Sequence, residues 1–386
     1  MKSSFIILLL LFTVYFTQAQ IVNIPDANFK NALVNYSVVD SDGDGIGDMD
    51  ADINDDGEIQ VAEAEAVVFR LIIPEYQISS LIGIESFINL EVLSCHNNLL
   101  TTIDITNNLH LRGLWCSNNA LTSLDVSQNP NLEWLRCYYN QLTSLDVTQN
   151  VNLLSLYCSD NSLSSIDVTQ NSNLTWLYCS YNQISSLDVI QNPNLKFLNC
   201  WNNNLTSLDV TQNLQLEVLN CWNNQITELN MSQHQNLEEL KCMNNQLTSL
   251  NIKNGNNHNM DIMLAYNNPN LNCITVDDET ASYPICDLNN YSGWCKDNWT
   301  VYSENCTLNL TEFDSFIINI YPNPVHNMLN ISSEYPIELI YIYSLQGQVI
   351  QVTSNNQIDV SLFSSGLYFA SIVIDGKNIV KKFIKD

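Results

Sequence analysis

Between residues 95 and 242 the apolar positions of the chain fall into a strict cycle. Cys95, Cys116, Cys137, Cys158, Cys179, Cys200, Cys221 and Cys242 each lie 21 residues after the last. The cycle from Leu132 to Asn152 reads LEWLRCYYNQLTSLDVTQNVN, and the shared form is LxxLxCxxNxLxxLDVxxNxx. Six of its positions are apolar: Leu132, Leu135, Cys137, Leu142, Leu145 and Val147. Burying each contributes ~1.5–3 kcal/mol at most. Ordering the backbone of one cycle costs on the order of 20–40 kcal/mol, so a single cycle cannot fold alone. The cycles must stack and bury both faces of one another. The pattern predicts one short strand per cycle, parallel to the next and ~4.8 Å from it. A weaker copy precedes the set (Leu71, Ile73, Ile78, Leu81) and another follows it (Ile262, Leu264, Asn267, Leu271, Ile274).

Two columns inside the cycle carry structural roles. Asn98, Asn119, Asn140, Asn161, Asn182, Asn203, Asn224 and Asn245 fall where the chain turns inward after the strand. A buried amide there donates and accepts, pairing backbone groups that leave the ladder. The cysteine column is expected to hold free thiols acting as small hydrophobes. Stacked side chains lie ~5 Å apart, whereas a disulfide wants Cβ atoms at ~3.8 Å.

Two further columns face outward. Strand side chains alternate, so Trp115, Trp134, Arg136, Tyr138, Tyr157, Trp176, Tyr178, Phe197, Trp201 and Trp222 point away from the core. Tyr139 and Tyr181 follow one position later. Aromatics suit strand surfaces and pair across neighbours, and exposed aromatic clusters also mark binding sites. The ligand expected on this face is a protein loop or a glycan whose rings stack on the aromatic faces. The second column is Asp104, Asp125, Asp146, Asp167, Asp188 and Asp209, continued by Asn230 and Asn251. It reads as a solvated face whose carboxylates bond to turn amides, with loose divalent-cation binding as the alternative.

Acidic loops precede the cycles. Residues 52–63, DINDDGEIQVAE, fit the twelve-residue calcium loop. Asp52, Asn54 and Asp56 would supply oxygens at alternate positions, and Glu58 its backbone carbonyl. Gln60 would add a side-chain or water-mediated contact and Glu63 a bidentate carboxylate, with Gly57 at the sharp turn. A helix over Ala62–Val68 would hold Glu63. Upstream, Asp40, Asp42, Asp44 and Asp48 alternate in the same way, without a terminal Glu, and would hold a second ion.

Past the cycles, Cys273, Cys286, Cys295 and Cys306 break the period. Two disulfides are expected; of three connectivities, nested pairing of Cys273 with Cys306 and Cys286 with Cys295 is preferred, and a zinc site is the runner-up. Seven segments then read as short strands of a small β-sandwich: Phe316–Tyr321, Met328–Ser332, Glu338–Tyr343, Gln348–Thr353, Gln357–Val360, Leu367–Ile374 and Ile379–Ile384.

Composition changes the picture in two ways. The 386 residues carry 13 basic and 41 acidic side chains, a formal charge of −28, which excludes phosphate binding as the main task and with it nucleic acid. Lys2, the apolar run Phe5 to Phe16 and the small residues before Gln20 read as a signal peptide cleaved after Ala19, since twelve apolar residues fall short of the ~20 a membrane span needs. Export makes disulfides reasonable for the last four cysteines.

The chain resembles leucine-rich repeat proteins secreted by Bacteroidetes: IPDANFKNAL (Ile24 to Leu33), the calcium loop and the LxxLxCxxNxLxxLDVxxN copies carry the likeness. The upstream acidic stretch is similar to thrombospondin type 3 calcium repeats. The tail resembles the sorting domain read by the type IX secretion system, through YPNP (Tyr321 to Pro324), SLQGQ (Ser344 to Gln348), SGLY (Ser365 to Tyr368) and KKFIK (Lys381 to Lys385). The resemblance implies a mainly β fold: a leucine-rich repeat solenoid with a helical calcium-loop cap and a small C-terminal β-sandwich. The expected divisions are a signal peptide (1–19), an N-terminal cap (20–70), the solenoid (71–265), a C-terminal cap (266–307) and the sorting domain (308–386). It also implies secretion or outer-surface attachment and contact with the type IX machinery. No GxSxG, HExxH or phosphate loop is present, and the five histidines are scattered. A binding or adhesion protein is therefore expected ahead of an accessory to polysaccharide degradation, and both ahead of a hydrolase.

Overall fold

A computed structural model describes residues 20–306, 318–345, 347–374 and 377–386. The expected leader (1–19) and the start of the first tail strand (316 and 317) lie outside the described residues. The chain forms two compact units, 1–305 and 306–386.

In the first unit, twelve short strands form one sheet, parallel throughout except for its first pair, Val39–Asp40 against Arg70–Ile72. Their central residues stand in register as a single row: Leu71, Leu93, Leu114, Leu135, Leu156, Leu177, Leu198, Leu219, Leu240, Met263 and Trp294. One continuous core runs from Val22 to Trp294, and all six apolar positions of the cycle lie in it. The parallel strands are only three residues long, because the chain turns inward at the repeated Cys-x-x-Asn step. Each Asn of that step holds the turn. Asn140 Nδ2 donates to the carbonyls of Cys116 and Cys137, and its Oδ1 accepts from the Leu121 N–H. A second parallel sheet joins Glu228–Asn230, Ser249–Asn251, Cys273–Thr275 and Val301–Ser303.

The eight periodic cysteines are free and buried. Burial pushes the thiols of Cys95, Cys158 and Cys242 up to about 12. Burial, with the neighbouring thiols adding to it, raises Cys116, Cys137, Cys179, Cys200 and Cys221 well above the ordinary value. The structure joins Cys286 to Cys295, and Cys273 and Cys306 are also disulfide-bonded.

Two expectations need correction. The weaker copy after Cys242 is read with Ile262, Leu264, Asn267, Leu271 and Ile274. Leu271 and Ile274 do join the main core, but Met263 and Ala265 stand there in place of Ile262 and Leu264, with Asn268 at the turn. Leu264, also buried, packs in a separate cluster with Met243 and Cys295. Leu240 pairs with Met263, 23 residues on, because the loop carrying Gly255 and the short 3-10 helix Asn257–Asn259 is two residues longer than in the other cycles. The helix beside the calcium loop spans Val61–Ala66, starting a residue earlier and ending two before the expected Val68. Gln60 and Glu63 form a reciprocal capping box that fixes its start.

The second unit has its own core, from Ile318 to Phe383. Seven antiparallel strands make a three-stranded sheet (Ile318–Tyr321, Met328–Ser333, Gln357–Asp359) and a four-stranded one (Leu339–Ser344, Val349–Thr353, Gly366–Ile374, Lys377–Lys385). Among the described residues no helix is long and apolar enough to cross a membrane.

Candidate ligand-binding face

The sheet exposes three side-chain columns. The residue before the central Leu gives Trp134, Trp176 and Phe197; the residue after it gives Trp115, Arg136, Tyr157 and Tyr178; the residue after the buried Cys gives Tyr138, Trp201 and Trp222. Arg136 is exposed and the aromatics of these columns are half-buried.

The rings pack against their neighbours in adjacent cycles. Tyr157 and Tyr178 stack at 4.5 Å and 10°, Trp176 and Phe197 at 6.0 Å and 5°, and Trp201 and Trp222 at 4.1 Å and 11°. Such pairs stabilise the stack by ~0.5–1.5 kcal/mol each beyond the area they bury. The arginines join the ladder. Arg70 and Arg136 both lie over the Trp115 ring at 4.9 Å, Arg136 over Tyr157 at 5.4 Å, and Arg112 over Trp134 at 5.5 Å. Ring faces are thus largely covered, while ring edges and polar rims remain outward.

A depression of about 450 Å³ is sunk into this face between Arg136 and Trp201. Ser159, Asp160, Ser180 and Asn199 line it together with Tyr138, Tyr157 and Tyr178. Burial raises the Asp160 carboxyl above its ordinary value.

Backbone strain coincides with the same stretch. In every cycle the residue before the turn Asn is left-handed, with φ between +50° and +57°. Asn tolerates that region and occupies it at Asn97, Asn118, Asn202, Asn223 and Asn244. Tyr139, Asp160 and Tyr181 replace it in three consecutive cycles, at φ +52°, +53° and +50°. Asp tolerates the region as Asn does, but a tyrosine there costs of order 1–3 kcal/mol, and such strain clusters at functional sites. Tyr181 meets Trp201 edge-on at 4.3 Å, and Tyr139 meets Tyr138 at 5.7 Å.

The opposite outward column behaves differently. Asp146 Oδ1 accepts from the Thr148 N–H and hydroxyl, and Asp104, Asp167 and Asp209 repeat the pattern. Asp125 and Asp188 accept from the N–H two residues on. Those bonds hold the carboxyls of Asp104, Asp125, Asp146, Asp167 and Asp209 below the ordinary range.

At the N-terminal end, Asp40, Asp42 and Asp44 bring their carboxylates within 4.8 Å of one another. Asp48 instead bonds to Ser41. In the second loop Asp52 is buried and accepts from the N–H groups of Asp56 and Gly57, the latter at φ +83°. Asn54 accepts from Asp56 N–H, Gln60 Nε2 donates to Asp56, and Glu58 pairs with Lys30 at 2.6 Å. Glu63 turns its carboxylate onto the N–H groups of Asn54 and Gln60.

A second Asn column of the repeat form bonds wholly inward. Asn108, Asn129, Asn150, Asn171, Asn192 and Asn213 are wholly buried. Each donates to two backbone carbonyls of the preceding cycles; Asn150 bonds Val126 and Asn129. His234 takes the next place and bonds Val210 O through Nε2.

Residues 319–386 match the secretion system C-terminal sorting domain, and residues 172–213 match leucine-rich repeats in two copies. The chain carries leucine-rich repeats and a type IX sorting domain. The sorting domain directs a chain to secretion or attachment at the outer surface by way of the type IX machinery. No curated protein matches this chain. Among solved structures it is similar to the functional domain of InlJ from Listeria monocytogenes, which includes a cysteine ladder: 21% identity over 96% of this chain and 99% of that one, TM-score 0.41. It is also similar to an internalin, inlF, from the same species, with 20% identity over 68% and 87% and TM-score 0.41. The leucine-rich repeat protein LIC12759 of Leptospira interrogans is 26% identical over 50% of this chain and 52% of that one, TM-score 0.44.

Proposed function

We propose that this is a surface-displayed recognition and adhesion protein, without enzymatic activity, whose sheet face between Trp115 and Trp222 binds segments of other proteins. The supporting observation is the ladder itself. Sugar recognition by stacking needs a free ring face, and here Tyr157 lies between Arg136 and Tyr178 while Trp201 and Trp222 cover one another. What the ladder offers instead is ring edges, hydroxyls, amides and a guanidinium, the inventory that packs against protein. Surface plasmon resonance of the mature chain against purified envelope and host-surface proteins tests the reading. Trp201→Ala and Tyr178→Ala should weaken capture about tenfold or more. Unchanged capture by both variants would remove the face from consideration.

A glycan reading keeps one observation in its favour: Tyr139 and Tyr181, 54% and 45% exposed, are the least covered rings on the face. Polysaccharides run in the same assay decide it, with Tyr139→Ala and Tyr181→Ala as the variants.

We further propose that the acidic loops hold calcium. The Asp52 carboxylate accepting from Gly57 N–H at a left-handed glycine is the bend a twelve-residue calcium loop requires, and Asp52, Asn54, Asp56, Glu58, Gln60 and Glu63 fit a hard cation as an oxygen donor set. Asp40, Asp42 and Asp44 would hold a second ion, with Asp48 nearby in sequence. Calcium should raise the melting temperature, and Glu63→Ala should abolish the part of that rise due to the second loop. A melting curve indifferent to calcium overturns the assignment.

A further inference from the structure

The chain has three arginines, Arg70, Arg112 and Arg136, and all three converge on the first half of the sheet face. Two of them are neutralised: Arg70 approaches Asp40 at 4.0 Å, and Arg112 meets Glu133 at 2.9 Å and Glu91 at 3.5 Å. Between residues 71 and 265 there are five basic side chains. Four have a Glu partner: Arg112, Lys196, Lys241 and Lys253. Arg136 is the exception; among the described residues it enters no ion pair, although acids outnumber bases in the chain 41 to 13. Its position is nevertheless held, over Trp115 at 4.9 Å and Tyr157 at 5.4 Å. Contacts with ring faces orient a guanidinium without consuming its N–H donors, so the fork that fits a carboxylate stays free.

Arg136 stands at one end of the depression described above. Arg136, Tyr157, Tyr178 and Asn199 occupy equivalent places in four successive strands, so the depression runs across the strands for three spacings, roughly 14 Å. Four or five extended residues span that length at ~3.3 Å each. Arg136 is the one cation among the residues lining the depression, so an incoming carboxylate is drawn to its end.

We infer that this depression takes a short extended protein segment bearing one carboxylate, anchored by Arg136. The inference rests on the protein-binding reading above and names the chemistry of its ligand. The carboxylate comes from an Asp or Glu side chain or from a free C-terminus.

The test is an array of immobilised pentapeptides read with the mature chain and with Arg136→Gln, Arg136→Lys and Trp201→Ala. Each sequence is printed with Asp/Glu or Asn/Gln, and with a free or amidated C-terminus; an oligogalacturonate is included as an acidic glycan. Bound peptides should lose about tenfold in affinity when the carboxylate becomes an amide, a penalty that vanishes in Arg136→Gln and is intermediate in Arg136→Lys. Whether the side-chain or the terminal substitution carries the loss identifies the source. Peptides that bind in a Trp201-dependent way but tolerate amidation at both places overturn the anchor and leave protein binding standing. Binding of the oligogalacturonate without any peptide overturns both. A thermal melt of Arg136→Gln matching the parent shows that a lost preference is not lost folding.

Discussion

On the turn side of each cycle the outward residue is nearly constant: Asp at 104, 125, 146, 167, 188 and 209, then Asn at 230 and 251. Each of these closes a bond to an N–H two residues along its own chain. On the strand side the equivalent places change from cycle to cycle, through Trp115, Arg136, Tyr157, Tyr178 and Asn199, and their bonding is between cycles or to nothing. The same backbone therefore carries one surface whose chemistry is spent locally and one whose chemistry is left over. Repetition alone does not separate them, since both have the 21-residue period. What separates them is whether the side chain satisfies a backbone group that the fold itself creates.

The sharpest way to break this contrast is to attack a repeated residue that bonds inward. Asn150→Leu keeps the branched skeleton and removes two donors, leaving the Val126 and Asn129 carbonyls with only the backbone N–H groups of Asn129 and Leu132. The expected loss is about 1–3 kcal/mol, the net worth of two hydrogen bonds, read as a fall in melting temperature and urea midpoint. If Asn150→Leu melts like the parent, the buried amide column does not hold the stack.

Alkaline pH probes the inward column without mutation. The thiols of Cys95, Cys158 and Cys242 are raised to about 12 in the folded chain, chiefly by burial, from an ordinary 9.0. The unfolded chain therefore releases these protons first as pH rises. Stability from this source is complete below about pH 9 and is lost progressively toward 12. The melting temperature should decline over that window, and less steeply for Cys158→Val. Iodoacetamide at pH 8 should leave the eight thiols untouched until denaturant is added.

The stack and its columns were legible because a period of 21 survives any ignorance of the third dimension, and inward Leu, Cys and Asn are forced by it. The seven tail strands were legible because turn residues separate short β-branched and aromatic runs. Three things were not. The frame slipped after Cys242, since two inserted residues in a polar loop leave apolar Ile262 and Leu264 looking as inward as Met263 and Ala265. The second Asn column was visible as a letter in the pattern but its duty depends on carbonyls 21 and 24 residues back, which only stacking brings near. The covering of ring faces was also hidden, because Tyr157 and Tyr178 mark a binding surface equally well whether their faces are free or stacked at 4.5 Å.

The smallest expected effect sharpens the comparison from the other side. Asp146 accepts from Thr148 N–H and hydroxyl, and its carboxyl lies below the ordinary range chiefly because of the backbone bond. That stabilisation is present above the unfolded value near 3.8 and fades as pH falls through the lower folded one. It is a small quantity, because the group is almost fully exposed and solvent screens it. Asp146→Asn keeps an acceptor in place, as Asn230 and Asn251 do when they accept from Ser232 and Lys253. The substitution also removes repulsion along the column, ~0.8 kcal/mol per neighbour at ~5 Å in water. Gain and loss offset, so the melting temperature at pH 7 should shift by the equivalent of about 0.5 kcal/mol or less, and capture of any ligand of the sheet face should be unchanged. A loss of capture in Asp146→Asn would place the binding chemistry on the wrong surface of the repeat.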